Sequence, residues 1–114
     1  MGENERLAWF AVRCVFASGW GRGDGPPLYE ERITLWHATS IEEAVTRAEA
    51  EAEAYAAAIE EAPDSFLGLT QAYAMFDEPG DGAEVFSLLR GSALPPEDYL
   101  ESFFDTGAER SREL

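Results

Sequence analysis

The stretch LYEERITLWHATSIEEAVTRAEAEAEAY, Leu28 to Tyr55, changes from a strand pattern to a helix pattern at one serine. Before that serine, apolar and polar residues alternate, which predicts a β-strand over about Tyr29 to His37. The letters SIEE then form a capping box, in which the hydroxyl of Ser40 accepts a hydrogen bond from the amide of Glu43 and the Glu43 carboxylate reaches back to the cap. A strand that leads into a capped helix is therefore the starting point for the fold.

The helix that begins at this cap is predicted to be long. Its apolar residues recur at helical spacing until Pro63 ends the pattern: Ile41, Val45, Ala48, Ala52, Tyr55, Ile59 and Ala62. A helix of about 22 residues is about 33 Å long, the length of a ten-residue strand, and so could cover a sheet from end to end. The opposite face carries four acids: Glu42, Glu49, Glu53 and Glu60.

Alternating residues predict further strands on both sides of this unit. One is predicted over Trp9 to Ala17, before a glycine-rich loop at 18–27, and two more over Phe66 to Phe76 and Glu84 to Arg90. A short C-terminal helix is predicted within LPPEDYLESFFDTG, where proline and acids suit a helix start. We therefore predict an α+β fold with a four-stranded, antiparallel-rich sheet, in the order β-β-α-β-β, covered by one long helix.

The length of the chain predicts one domain over residues 1–114, with frayed ends at 1–6 and 107–114. The chain has no apolar run that could span a bilayer, and its first residues, MGENER, have no signal-peptide pattern. One cysteine cannot form an internal disulfide. We therefore expect a cytoplasmic protein.

The net charge of −15, with eight arginines and no lysine, limits the classes of partner. Nucleic acids and anionic membranes would need a basic patch, so neither is expected. Residues 42–64 and residues 77–105 each carry eight acids and one arginine. Such a surface suits a basic partner protein, although solubility alone would also explain it.

The concentration of acids in residues 42–64 and 77–105 predicts a non-enzymatic acidic binding module of an immunity-like or regulatory kind. Its binding surface would comprise Glu42, Glu49, Glu53 and Glu60 on the helix, with Trp20 at the tip of the glycine-rich loop as an aromatic anchor. Trp20 could instead fold back onto the sheet.

Catalytic and metal-binding groups are sparse. Cys14 and His37 are the only thiol and imidazole, and a hairpin through the loop would place them about 18 Å apart, too far for a dyad. No cysteine or histidine pair has zinc-ligand spacing, and the acidic turn near Asp81 has Leu88 where a calcium loop needs its last glutamate. We expect no catalytic site, metal or cofactor.

The alternative is a small-molecule-binding or enzymatic domain with a pocket between sheet and helix. Such a pocket would use Glu31, Arg13 and His37. If Glu31 faces the core with Tyr29 and Ile33, it needs a partner, and a structural salt bridge to an arginine is the simplest one.

One helix covers only one face of a sheet, which leaves a second face to be covered. We assign Trp9, Ala11, Val15 and Trp36 to that face. These side chains are too apolar to be left in water, so either the C-terminal aromatic helix or a second copy of the chain should cover them. We accordingly expect a homodimer.

Three segments together resemble a family of small bacterial proteins catalogued as domain of unknown function 4288: WFAVRCVF, the Leu28 to Tyr55 stretch, and FDEPGDGAEVFSLL. The resemblance covers about residues 8–106, and its main motif is a Tyr-Glu-Glu strand that leads into a helix starting with Ser and two Glu. It implies a stand-alone bacterial protein. The family has no assigned activity, so the resemblance implies no functional residue.

Overall fold

The computed structural model describes residues 6–19 and 26–109, which adopt an α+β fold. Within these residues the sheet has three strands in the order β2-β1-β3, and both neighbouring pairs are antiparallel. The elements are β1 (Ala8–Ala17), β2 (Tyr29–Ala38), α1 (Ile41–Ala56), β3 (Ser65–Ala74) and α2 (Pro96–Tyr99), which continues as a π-helical turn (Leu100–Phe104).

Strand β1 lies at the centre because it is the most apolar segment and can be buried on both sides. Its register on β2 pairs Cys14 with Arg32; a hairpin centred on the glycine-rich loop predicts Glu31 or Arg32 opposite Cys14. Its register on β3 pairs Cys14 with Thr70 and then shifts before Phe16 meets Phe66. Gly68 lies at this irregularity with φ of 80°, a backbone conformation that glycine adopts without steric cost.

The core lies between β1 and α1. Four alanines spaced one turn apart, Ala44, Ala48, Ala52 and Ala56, pack against a row of β1 side chains: Phe10, Val12, Cys14 and Phe16. Alanine side chains are short, so the helix can lie close to the larger strand residues. Phe16 and Val12 are fully buried, and each such side chain stabilises the fold by roughly 1.5–3 kcal/mol.

The prediction of a helix reaching Ala62 was wrong, because α1 ends at Ala56. Ala44 and Ala56 face inward, whereas the predicted inward residues Ile41 and Ile59 remain 37% and 44% exposed. Two hydrogen bonds of Asp64 hold the chain in a turn just after α1. The amide of Asp64 donates to the carbonyl of Ala56, and its carboxylate accepts from the amide of Gly19 at 2.7 Å. A Cβ at Gly19 would lie 2.4 Å from the Pro63 carbonyl oxygen, so only glycine fits there.

The predicted fourth strand is also wrong, because residues 84–90 belong to no strand. This segment lies over the sheet instead of along its edge. The ring of Phe86 is 5.8 Å from the ring of Tyr73 and 5.9 Å from the guanidinium carbon of Arg13. We call residues 76–109 the arm.

The two faces of the sheet differ in what covers them. Helix α1 covers one face, and we call the other the open face. Trp36 lies on the helix face, where the guanidinium of Arg47 is 5.2 Å from its ring, so its assignment beside Trp9 was wrong. The C-terminal helix does not bury its apolar residues, since Leu100, Phe103 and Phe104 are all exposed. Among the described residues, neither helix has the length and apolar character needed to cross a bilayer.

Candidate functional site

The start of α1 is fixed by the predicted capping box. The amide of Glu43 donates to the hydroxyl of Ser40 at 3.0 Å. The Glu43 carboxylate was predicted to reach back to the cap itself, but it binds the residue before it, accepting from the amide of Thr39 at 2.6 Å and from the Thr39 hydroxyl at 2.8 Å. These hydrogen bonds hold the pKa of Glu43 below its ordinary value, and the bond from the Thr39 amide has the larger effect. The first turn of the helix, which carries Glu42, is therefore held in place.

Three of the predicted binding acids, Glu42, Glu49 and Glu53, lie along one flank of α1, and we call this row the acidic flank. Their separations of seven and four residues return to the same side of a helix, and the row is about 16 Å long at 1.5 Å per residue. The hydroxyl of Thr70 donates to the Glu49 carboxylate at 2.7 Å, which places the row on the side of β3. Glu42 and Glu53 are exposed and Glu49 is half-buried.

The opposite flank of α1 is neutralised by arginine. Both guanidinium nitrogens of Arg32 donate to the Glu51 carboxylate, at 2.8 and 3.0 Å. The same group lies 3.7 Å from the ring centroid of Tyr55, and its hydrogen bonds to Glu51 raise the pKa of Arg32. Arg47 donates to the carbonyl of His37 on this side. The two flanks of one helix therefore carry different net charge.

A second acidic segment follows β3. This strand finishes at the same end of the sheet at which α1 begins, since the amide of Met75 donates a hydrogen bond to the Trp9 carbonyl and Ala38, just before α1, pairs with Ala8. The turn that follows carries Asp77, Glu78 and Asp81, and all three are exposed. Among the described residues, the salt bridges join Arg13 to Glu31 and Arg32 to Glu51, and neither involves the acidic flank or this turn.

Two predicted binding residues lie elsewhere. Glu60 is not on the helix, because α1 has already ended, and it is exposed in the turn beyond it. Trp20 lies outside the described residues, as do residues 1–5, 21–25 and 110–114 of the predicted loop and frayed ends. Of the C-terminal segment predicted to fray, residues 107–109 are described, and Glu109 accepts hydrogen bonds from the amide and hydroxyl of Thr106.

The predicted pocket between sheet and helix is not formed by Glu31, Arg13 and His37. All three lie on the open face, away from α1. Arg13 donates to Glu31 there, and also to Gln71 at 3.2 Å. The sequence predicted a salt bridge for Glu31 on the assumption that it faces the core, whereas this pair lies on the face away from α1. These residues line a shallow cleft of about 220 Å³. The ring of His37 instead stacks on Trp9, with the ring centroids 4.4 Å apart. Trp9 is four residues from Arg13 along β1, which is a distance of about 13 Å.

Cys14 and His37 lie on opposite faces of the sheet and form no dyad. Cys14 is buried beneath α1. Burial raises the pKa of its thiol, although its hydrogen bond with Thr70 acts in the opposite direction. Cys14 is therefore a small core residue.

A wider cleft, of about 900 Å³, lies where β2 begins and was not predicted. Its lining includes Glu30, Tyr55, Ile59, Asp64 and Phe103. The Tyr55 hydroxyl donates to the Glu30 carboxylate at 2.7 Å, which raises the pKa of Tyr55. No sequence pattern could have revealed this cleft, because its residues are far apart in the chain and do not share one periodic element.

Over 6–19 and 26–109, no group of three His, Cys, Asp or Glu side chains could hold a metal ion. Comparison with protein-family models, with curated proteins and with solved structures finds no match to this chain. The resemblance to the domain of unknown function 4288 family therefore stays a prediction.

Proposed function

We propose that this chain is a non-enzymatic acidic binding module that engages a basic partner protein in the cytoplasm. The observation that supports it is the difference between the two flanks of α1. Arginine neutralises Glu51 on one flank, whereas the described arginines make no salt bridge to Glu42, Glu49 or Glu53 on the other. The binding surface is the acidic flank together with the turn that carries Asp77, Glu78 and Asp81.

The physical basis is a negative potential over one side of the molecule. Along the helix axis, neighbouring acids on the flank are about 6 and 10.5 Å apart, distances comparable to the Debye length of about 8–10 Å at moderate ionic strength, so their fields partly add. Such a field speeds association with a basic protein and weakens as salt is added. A basic group that approaches also relieves the repulsion among the acids.

One member of the row is already ordered. Thr70 holds the carboxylate of Glu49, so this side chain loses less conformational entropy when a partner binds than a free glutamate would. One carboxylate oxygen of Glu49 accepts this bond, which leaves the other able to accept from a guanidinium or ammonium group.

The test is co-purification of tagged protein from its native cells, at low and at high salt, with mass spectrometry of the retained proteins. The helix variant removes the three charges of the acidic flank through Glu42→Gln, Glu49→Gln and Glu53→Gln. The matched control removes three charges from the arm through Glu97→Gln, Glu101→Gln and Asp105→Asn. The unmodified chain and the control should both retain a basic protein at low salt, whereas the helix variant should lose it.

Three results would contradict the proposal. If all three proteins retain the same partner at low salt, the acidic flank is not the recognition surface. If the helix variant and the control lose the partner equally, the partner is attracted by the total charge of the chain and not by a particular binding surface. Retention of no basic protein by the unmodified chain would assign the acidity to solubility.

The alternative class, small-molecule binding, is favoured by one observation, the wider cleft beside Tyr55. The cleft combines carboxylates with aromatic rings, and such surroundings bind organic cations through charge and through the ring faces. A polyamine such as spermidine should then raise the melting temperature of the unmodified chain more than that of a Glu30→Gln, Asp64→Asn variant. Equal shifts would reject this alternative.

A further inference from the structure

The open face of the sheet carries large apolar side chains that nothing in the described chain covers. On β2, Tyr29, Ile33 and Leu35 are 64%, 43% and 36% exposed. On β3, Leu67 and Leu69 are 50% and 63% exposed. We propose that a second copy of this chain covers this face, so that the open face is the interface of a homodimer. This proposal does not rest on the proposed function, whose acidic flank lies on α1 on the other side of the sheet; the two surfaces come near each other only in the arm, where the proposed binding surface includes the turn with Asp77, Glu78 and Asp81.

The arm does not already serve as the cover. Phe86 rests on Tyr73 and Arg13, and this contact is confined to one part of the face. The cleft beside it, lined by Val15, Leu69 and Gln71, remains open. The arm also exposes apolar residues of its own next to Phe86, since Val85, Leu88 and Leu89 are 39%, 47% and 96% exposed.

Charge favours a second copy as the occupant. A two-fold axis brings the same patch of each subunit together, so a charged patch would repel itself. The chain carries −15 overall, but the charged side chains that the three strands place on the open face are Arg13 and Glu31, which neutralise each other. The arm adds Glu84, whose carboxylate accepts a hydrogen bond from the Tyr73 hydroxyl on this face. The open face is therefore nearly neutral compared with the rest of the chain, and two such acidic chains can approach closely there.

The area is sufficient when the arm is included. Three ten-residue strands form a face of about 14 by 33 Å, so two copies would bury about 920 Å² in total. A stable interface needs at least about 1,000 Å² and more often about 1,600 Å². The sheet alone falls just short of the lower value, and the exposed arm residues beside Phe86 supply the remainder. The interface should therefore comprise the open face and the neighbouring part of the arm.

The test measures the mass of the full chain in solution by sedimentation equilibrium, with the dissociation constant of the dimer as the readout. The interface variant places two charges on the open face, Ile33→Glu with Leu69→Glu. The matched control places the same two charges on exposed positions of α1, Ala50→Glu with Ala54→Glu. The unmodified chain and the control should have twice the mass of one chain at micromolar concentration, whereas the interface variant should dissociate at least on the order of 100-fold more readily.

A second variant separates the interface from net charge and from misfolding. Ile33→Arg with Leu69→Arg lowers the acidity of the chain, yet it should also dissociate the dimer, because it too would bury charge. Circular dichroism must show that each variant melts cooperatively, as expected for substitutions at exposed positions. A monomeric unmodified chain would overturn the proposal. A dimer that survives both folded interface variants would overturn it as well, because the contact would then lie elsewhere.

Discussion

The first two-thirds of the chain and the arm contain similar side chains but bury them very differently. All eleven residues of the buried core lie between Phe10 and Met75. None of the described arm residues is buried, although the arm has nine large apolar residues: Phe76, Val85, Phe86, Leu88, Leu89, Leu94, Leu100, Phe103 and Phe104. Apolar content is therefore not what separates the two regions.

The difference lies in the backbone. Strand β1 is hydrogen-bonded on both edges, so each of its side chains has a fixed direction and a neighbour one strand away. Residues 83–94 of the arm belong to no ladder and no helix. Without regular pairing, successive apolar side chains do not point to one surface and cannot form a layer. Burial thus follows ordered backbone, and composition alone does not produce it.

Phe16→Ala should give the largest loss. Phe16 is fully buried beneath α1, so removing its ring leaves a cavity and should lower the free energy of unfolding by about 3–5 kcal/mol. The matched substitution in the arm, Phe104→Ala, removes a ring that is 74% exposed and should change stability by less than about 0.5 kcal/mol. Urea unfolding measures both. Equal losses would mean that the arm packs as part of the core in solution.

Ala48→Leu should give the next largest effect. Ala48 is 1% exposed at the contact between α1 and β1, and overpacking there should cost about 1–3 kcal/mol. Ala50→Leu, on the exposed side of the same helix, is the control and should change stability by less than about 0.5 kcal/mol. If both substitutions are neutral in urea unfolding, the helix does not lie as close to the sheet as its alanines imply.

Ser40→Ala should lower the free energy of unfolding by about 1 kcal/mol, because the amide of Glu43 loses its acceptor at the start of α1. The arm offers a matched control. Ser92 accepts a similar hydrogen bond from the amide of Leu94, in a segment that contributes no buried residue. Ser92→Ala should therefore leave the thermal midpoint unchanged. A comparable loss in both variants would show that the arm folds cooperatively with the body.

Glu43→Gln should give the smallest effect, and one that depends on pH. The folded-state pKa of Glu43 lies below its ordinary value of 4.5, because Thr39 donates to the carboxylate. Its stabilising contribution is therefore fully present above pH 4.5 and is lost as the pH falls through the lower folded pKa. The thermal midpoints of the unmodified chain and the variant should differ at neutral pH and converge in acid. Glu97→Gln in α2 should show no such convergence.

The sequence predicted the parts of the fold that local chemistry determines. Alternation located β1 and β2, the capping box located the start of α1, and the hairpin limited the partner of Cys14 to Glu31 or Arg32, of which the structure has Arg32. The end of α1 depends on the contact of Asp64 with Gly19, which lies 45 residues away and leaves no local signal. Alternation over 84–90 indicated a strand, but a strand also needs a free edge beside it, and Phe86 lies on the face of the sheet instead.

The candidate site was predictable to the same extent. Helical spacing correctly grouped Glu42, Glu49 and Glu53 on one side of α1. Glu60 was included only because the helix was predicted to be longer. Which flank is neutralised could not be predicted, because it depends on Arg32 reaching Glu51 across the β2 side. The same kind of information was missing for Glu31, whose face was determined by which side of the sheet the helix covers.

The alanine row of α1 also affects how its position is determined. A surface of four alanines has no large side chains that lock into the sheet, so it resists sliding along the helix axis only weakly. The position of the helix along its axis is instead set by polar contacts at its sides, which join Arg32 to Glu51, Tyr55 to Glu30 and Thr70 to Glu49. If these contacts change, the helix can shift along its axis while the core residues remain buried. Related sequences could therefore differ in the position of the helix without any change in the buried residues.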